Sequence, residues 1–349
     1  MTAECRQAPK LVSGLTLFKV IASVALLATA CVASAQSKWY AGAKKEGSVV
    51  FYTSDKQSLQ DAMKAVFEKR YPGVILDARS NQPNTETREK ILAEFGAKRT
   101  SIDIWLSGFT SGAVLLAAGA LETYQSPDLK LTVTPKLSAP FNPIYGNFQA
   151  IAVNTNLVPA GEEPKTWKDL LNPKWKGKIA SEDPRTGGTP FVVFAGLYNV
   201  YGEAFLRALA QQNVFFANQR GVLETGLAKG EYAILPTALN QYLQMKSAGA
   251  PVRLVRMTDG VGLSFNILYH TKNAPHPNAA KLFMDWTLSE EGQNVLAAQG
   301  MAPIRKGVKA SNPEAALEGL RFFPSIDTPT ILQDTRARNK VLDEIYFKR

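Results

Sequence analysis

Residues 47–78 read GSVVFYTSDKQSLQDAMKAVFEKRYPGVILDA, and three local signals within them set the fold class. GSVVFYTSD is an apolar, β-branched run that ends in a polar turn, so Val49–Thr53 is expected as a buried strand. In the next segment Leu59, Met63, Val66 and Phe67 fall on one stripe at helical spacing, and Pro72-Gly73 stop it. VILDA then supplies a second strand. The alternation continues with a helix over residues 84–98 and a third strand in SIDIWLS. Strand–helix–strand units of this kind build a parallel sheet with helices on its faces, an α/β lobe. In open sheets ligands gather beyond the carboxyl ends of the strands, where helix N-termini present free N–H groups. Ser54-Asp55, Asn81 and Ser107 stand at those ends, with helix capping as the competing role.

A second α/β lobe is expected to begin at Gln149–Val153, after the Pro/Gly/Asn-rich FNPIYGN. It holds helices over Pro190–Tyr201, Gly202–Gln211 and Arg220–Lys229, the strand EYAILP, and a helix near Ala238–Gly249. GLSFNILYH at 262–270 reads as the return crossing. PNAAKLFMDWTLSEEGQNVLAAQG gives two more helices, the second capped by Ser289 with Glu290 and Glu291 in its first turn. Leu332, Val341, Leu342, Ile345 and Tyr346 mark a final amphipathic helix. The expected division is therefore residues 36–147 plus 266–349 in lobe 1 and 148–265 in lobe 2. A lobe interrupted by another needs two chain crossings, which leave a cleft and allow a hinge.

The chain has 349 residues, 45% of them hydrophobic, enough for two lobes without covalent staples. Arg6, Lys10 and Lys19 precede IASVALLATACVASA, which closes on Ala33-Ser34-Ala35. That pattern reads as a secretory signal cut after Ala35, with lipoprotein processing at Cys31 as the alternative. Removing residues 1–35 removes Cys5 and Cys31, the only cysteines, and with them disulfides, a catalytic thiol and thiolate metal sites. The formal charge of +10 is not gathered into a Lys/Arg block and comes with no RNA-binding aromatic motif. Nucleic acid is therefore not an expected partner, while anionic ligands gain from the field.

Several stretches resemble one family. AKKEGSVVFYTSD, FEKRYPGV and SIDIWLSG, then PKTWKDLLNPKWKGKIASEDP at 164–184 and KNAPHPNAAKLFMDWTLSEEGQ at 272–293, are similar to bacterial extracellular solute-binding proteins of ABC importers. GAPV at 249–252 and PIR at 303–305 add to the match. The branch is the type II one that includes ferric-iron-binding proteins. The resemblance implies a two-lobed type II periplasmic binding fold, with mixed sheets flanked by helices and a ligand in the cleft. It also implies a monomer in the periplasm that delivers the ligand to a membrane permease, with no catalytic step and no cofactor. Within that frame Trp167 and Trp175 are expected to pack, and Lys174, Lys176 and Lys178 to be solvated.

The candidate ligand contacts are Ser54, Ser107, Tyr145, Arg185, Thr186, Thr189, Asn240 and Tyr242. In Arg185-Thr-Gly-Gly-Thr-Pro190 the glycines allow close backbone approach, Pro190 suits a first helical turn, and Arg185 offers a guanidinium fork for an anion. A helix cap with a surface arginine is the alternative. No Gly-Lys-Ser/Thr follows, so it is not a Walker loop. The ligand expected is a small organic or phosphorylated anion. Ferric iron is the alternative, held by Tyr145 and Tyr242 with a synergistic anion, because Fe³⁺ prefers hard oxygen donors. Iron-binding members of the family carry adjacent tyrosines where this chain has Tyr242-Leu243. An exported hydrolase is the reading from another class. It lacks a G-x-S-x-G elbow, and only His270 and His276 are available as bases.

Overall fold

The computed structural model describes residues 38–79, 84–134, 139–186, 188–324 and 331–348. Residues 1–37, over which a signal is expected, lie outside that set with Asn81 and Gly187, as do the side chains of Thr186 and Thr189.

The first half follows the periodicity of its sequence. Helix α1 (Tyr40–Glu46) leads into β1 (Ser48–Tyr52), α2 (Gln57–Arg70), β2 (Ile75–Arg79), α3 (Asn84–Gly96), β3 (Ile104–Gly108) and α4 (Phe109–Ala117). Strand β1 pairs in parallel with β2 on one side and β3 on the other. On α2 the stripe of Leu59, Met63 and Phe67 is fully buried, with Val66 half-buried beside it.

The chain then runs through β4 (Asn142–Asn154), β5 (Ala180–Glu182), α5 (Gly188–Ala210), β6 (Phe215–Ala217), α6 (Arg220–Lys229) and β7 (Ile234–Ala238). It continues through α7 (Leu239–Ser247), β8 (Val252–Val255) and β9 (Gly262–His270). After these come α8 (Pro277–Leu288), α9 (Glu290–Ala298), β10 (Ala302–Pro303), α10 (Ile331–Leu342) and a π-helical turn, Asp343–Phe347. The two helices read at 190–211 form one element broken at Gly202. Its φ of +76° is a backbone state that a residue without Cβ adopts at little cost.

The long strands β4 and β9 are antiparallel, Asn142 opposite Leu268 and Gln149 opposite Gly262. Strand β9 continues against β3 through residues 266–270. From Gln149 onward β4 leaves β9 and pairs with β7 on one edge and β8 on the other. The first-half order is β10-β4-β9-β3-β1-β2, and one continuous eight-stranded sheet serves both halves of the molecule. The small β5–β6 pair attaches to it through the Ile179–Ile234 bridge.

The first-half core closes on α8, whose Phe283 and Trp286 pack with Phe51 and Phe67 at ring separations of 5.0 to 5.8 Å. Its first-turn N–H groups are satisfied from α1, as Asn278 N and Ala279 N donate to the Glu46 carboxylate at 3.0 and 2.8 Å. Asp103 is fully buried and accepts from Val50 N at 2.7 Å and His276 N at 2.8 Å, while its Oδ2 lies 2.8 Å from His276 Nδ1. The one carboxylate thus ties β1 to the entry of α8.

Residues 331–348, which the sequence reading assigns to lobe 1 with the rest of 266–349, pack on α5 as well. Tyr346 donates to Leu206 O at 2.8 Å, and its ring meets Phe194 and Phe216. Asp343 pairs with Arg185 at 2.6 Å, and α10 also touches α4. The reason is the apolar side of α5, where the terminal aromatics join Phe216 in covering Phe194. Tyr346→Ala is expected to cost about 3 kcal/mol, the lower end for truncating an aromatic because the ring is half-buried, read as a lower urea midpoint.

His270 is 1% exposed with neither ring nitrogen partnered. Burial pushes its pKa down to about 4, against the opposing pull of Glu122. The unfolded chain therefore binds a proton at His270 near pH 6.5, before the folded chain does. Stability from this group is intact above that pH and lost as the pH falls toward 4. The loss is about 3 kcal/mol at 1.36 kcal/mol per pH unit. Stability curves between pH 7 and 4 should flatten in His270→Asn, and an unchanged slope would remove His270 as the cause.

Candidate functional site

In their middle the crossing strands carry polar side chains at every second residue, on one face. Tyr145, Asn147 and Gln149 of β4 stand opposite Asn266, Ser264 and Gly262 of β9. Residues directly opposite in an antiparallel pair share a face. The result is a polar strip along the two strands that join the halves.

This strip reaches both ways. Toward the first half, Tyr145 Oη donates to the Asp55 carboxylate just beyond β1, 2.9 Å from each oxygen. Toward the second half, Asn147 Nδ2 donates to Asn240 Oδ1, at the start of α7, at 3.2 Å. Between them Gln149 Nε2 donates to Asn147 O at 2.7 Å and to Ser264 Oγ at 2.9 Å. Helix α5 closes over the second-half end. A Cβ on Gly262 would lie 2.8 Å from Gln149 Oε1 and 2.9 Å from Val192 Cγ1, so only glycine lets α5 come this near. The crossing strands, the end of β1 and the starts of α5 and α7 therefore meet around one face.

Burial pushes the Asp55 carboxyl up from its ordinary range, although the Tyr145 hydroxyl opposes this. Tyr145 is 4% exposed, and burial together with the Asp55 charge moves its phenol far upward, so it stays a neutral donor. Tyr145→Phe leaves Asp55 without that donor and is expected to lower ligand-free stability by about 1–3 kcal/mol, read as a lower Tm.

The other candidates fall in different places. Ser54 is exposed beside Asp55, and Asn240 is exposed at the start of α7. Ser107 is buried with its Oγ unpartnered, and it pairs with Ile267, which puts it on the opposite face of the sheet from Asn266. Tyr242 is buried and donates to Glu314 at 2.8 Å, so the two tyrosines serve different acids. Arg185 is not a free fork. Its Nε and Nη2 go to Asp183 at 2.9 and 2.5 Å, its Nη1 goes to Asp343, and its guanidinium lies 3.6 Å over the Phe347 ring. It braces the loop before α5, whereas a ligand would have to displace two carboxylates to reach it. The tryptophans pack as expected: Trp167 Nε1 donates to Gly260 O at 2.7 Å, and Trp175 is buried. Lys174, Lys176 and Lys178 are exposed.

Asp55, Asn147, Ser264 and Asn266 were not among the sequence candidates. The available signal was the spacing Tyr-x-Asn-x-Gln and Ser-x-Asn within strands that are otherwise apolar. Among the described residues no group of three His, Cys, Asp or Glu side chains could hold a metal ion.

Residues 122–325 match a family model described as bacterial extracellular solute-binding protein. This chain belongs to that family. A Haemophilus influenzae protein described only as uncharacterised is 30% identical to the binding protein over 294 residues, 80% of this chain and 82% of that one. The solved structure of AfuA from Actinobacillus pleuropneumoniae, a periplasmic binding protein with fructose-6-phosphate bound, is 26% identical. Its TM-score is 0.66, over 86% of this chain and 99% of AfuA. An iron- and citrate-bound Trichodesmium protein, IdiA (FutA), has the same fold at 19% identity, with a TM-score of 0.69 over 86% of this chain and 100% of that one. The binding protein thus has the type II periplasmic binding fold and is the solute-binding component of an ABC importer. Such proteins act outside the cytoplasmic membrane, bind small ligands, work with a membrane permease and are not enzymes.

Proposed function

We propose that this binding protein captures a small organic or phosphorylated anion between its lobes and presents it to the permease in the closed form. The observation that carries the reading is the polar strip on β4 and β9, which touches Asp55 on one side and Asn240 on the other. A ligand seated there contacts both halves at once. Its binding energy can therefore favour the closed arrangement over the open one, which is what shifts such an equilibrium. The sugar phosphate held by AfuA supports an anion bearing hydroxyls. Helix α5 begins at Gly188 beside the strip, where its first N–H groups suit such a charge.

In this reading lobe 1 comprises residues 36–147 with 266–324, and lobe 2 comprises 148–265 completed by 331–348. The chain is exported, loses residues 1–35 after Ala35, and works as a monomer. Arg185 acts through the loop it braces, and Ser54, Asn240 and the Thr186–Thr189 step remain the proposed contacts.

A thermal-shift panel on residues 36–349, refolded to strip carried ligand, tests this with phosphate, sugar phosphates, dicarboxylates and ferric citrate. A ligand at a hundred times its Kd adds about 2.7 kcal/mol and raises Tm by a few degrees. With the hit bound, X-ray scattering should show a smaller radius of gyration. Unchanged dimensions at saturation would sink the closure mechanism, and a response to ferric citrate alone would return the choice to iron.

A further inference from the structure

We infer that the ligand of this cleft carries a primary ammonium group and that Asp55 is its seat. The inference rests on the cleft proposed above and adds a second, opposite charge to its ligand.

Asp55 stands just past the end of β1 and before α2, half-buried. A carboxylate can accept about four hydrogen bonds. Here the Tyr145 hydroxyl lies 2.9 Å from both oxygens and the Thr53 hydroxyl adds a second neutral partner, while among the described residues no Lys, Arg or His forms an ion pair with it. Nor does it cap the helix it precedes, whose N-cap is Lys56 and which begins with no side-chain cap bond. A half-buried carboxylate without a cation is costly, and that cost persists in the ligand-free protein.

Two more buried acceptors lack donors, one beside Asp55 and one at the second-half end of the strip. Gln60 is 1% exposed, and its Nε2 donates to Asp55 O at 2.9 Å, which leaves Oε1 buried and unpartnered. Gln149 Oε1, also buried, has no partner on the strip itself. Beside Asp55 the floor therefore holds a carboxylate and an amide oxygen with unfilled acceptor capacity. A ligand bearing only negative charge meets repulsion at Asp55, and this grows as closure removes water. A hydroxyl satisfies one acceptor and leaves the charge. An ammonium brings three donors, no acceptor and the compensating charge. If Asp55 only braced Tyr145, an asparagine would serve that hydroxyl equally well.

The test is calorimetry at pH 7.5 on the mature chain with phosphoethanolamine and ethyl phosphate, which differ only by the amine, and with putrescine, which carries no anion. Phosphoethanolamine should bind at least tenfold more tightly than ethyl phosphate. In Asp55→Asn, checked for an unchanged circular dichroism spectrum, that preference should vanish while ethyl phosphate binds as well or better. If Asp55→Asn does not fold, the wild-type pair still decides, since the preference should shrink as acid protonates Asp55. Equal binding of the matched pair, a preference that survives Asp55→Asn, or no binding of any amine overturns the seat. Putrescine bound through Asp55 while both phosphates fail would keep the seat and overturn the anion reading.

Discussion

The antiparallel ladder between β4 and β9 is the constraint on which the other features depend. Backbone N–H and C=O groups in a buried sheet must be paired. A strand that leaves one half of the molecule for the other can therefore do so only by keeping its ladder while changing partners. Strand β4 does this at Gln149, which faces Gly262 of β9 and Ala238 of β7. The halves cannot separate without breaking those bonds. The face of the ladder that carries polar side chains is then the surface on which both halves converge, and it needs no separate device to bring them together.

Much of the architecture was legible because local physics and tertiary packing agree. The helical stripe of α2 and the apolar runs of β1 and β3 are short-range patterns that the core then uses. The terminal helix was legible as a helix but not in its location, since its amphipathic face does not say which surface it covers. The partner of that face is the apolar side of α5 around Phe194, more than a hundred residues earlier. Nothing in spacing or composition links the two.

The candidate site is legible in outline and not in detail for a related reason. Strand ends and a Thr-Gly-Gly-Thr step direct attention to the region proposed here, but charge alone makes Arg185 look available. Its neighbour Asp183 was visible in Asp-Pro-Arg, whereas Asp343, which occupies another of its donors, becomes a neighbour only in the fold. Asp55 was noted only as a strand end, because a lone carboxylate before a helix ordinarily reads as a cap. Its lack of both a cap bond and a cation is a property of the folded neighbourhood. The alternation of Tyr145, Asn147 and Gln149 was readable, and it is the signal that sequence inspection could have used.

The clasp formed by Asp343, Tyr346 and Phe347 on α5 also fixes the order in which the protein can be completed. Residues 148–265 form a contiguous stretch bounded by the two crossings, but an excised fragment with those ends would lack the aromatic lid of its own core. That half closes only when a segment some 150 residues downstream of Phe194 returns to it. The entropy of closing so long a loop grows slowly with length, yet the distant contact must form late. While the chain is still crossing a membrane or leaving a ribosome, the apolar side of α5 stays open to chaperones and proteases. The first half pairs β1, β2 and β3 within about sixty residues, but its core too closes only when Phe283 and Trp286 of α8 reach Phe51 and Phe67.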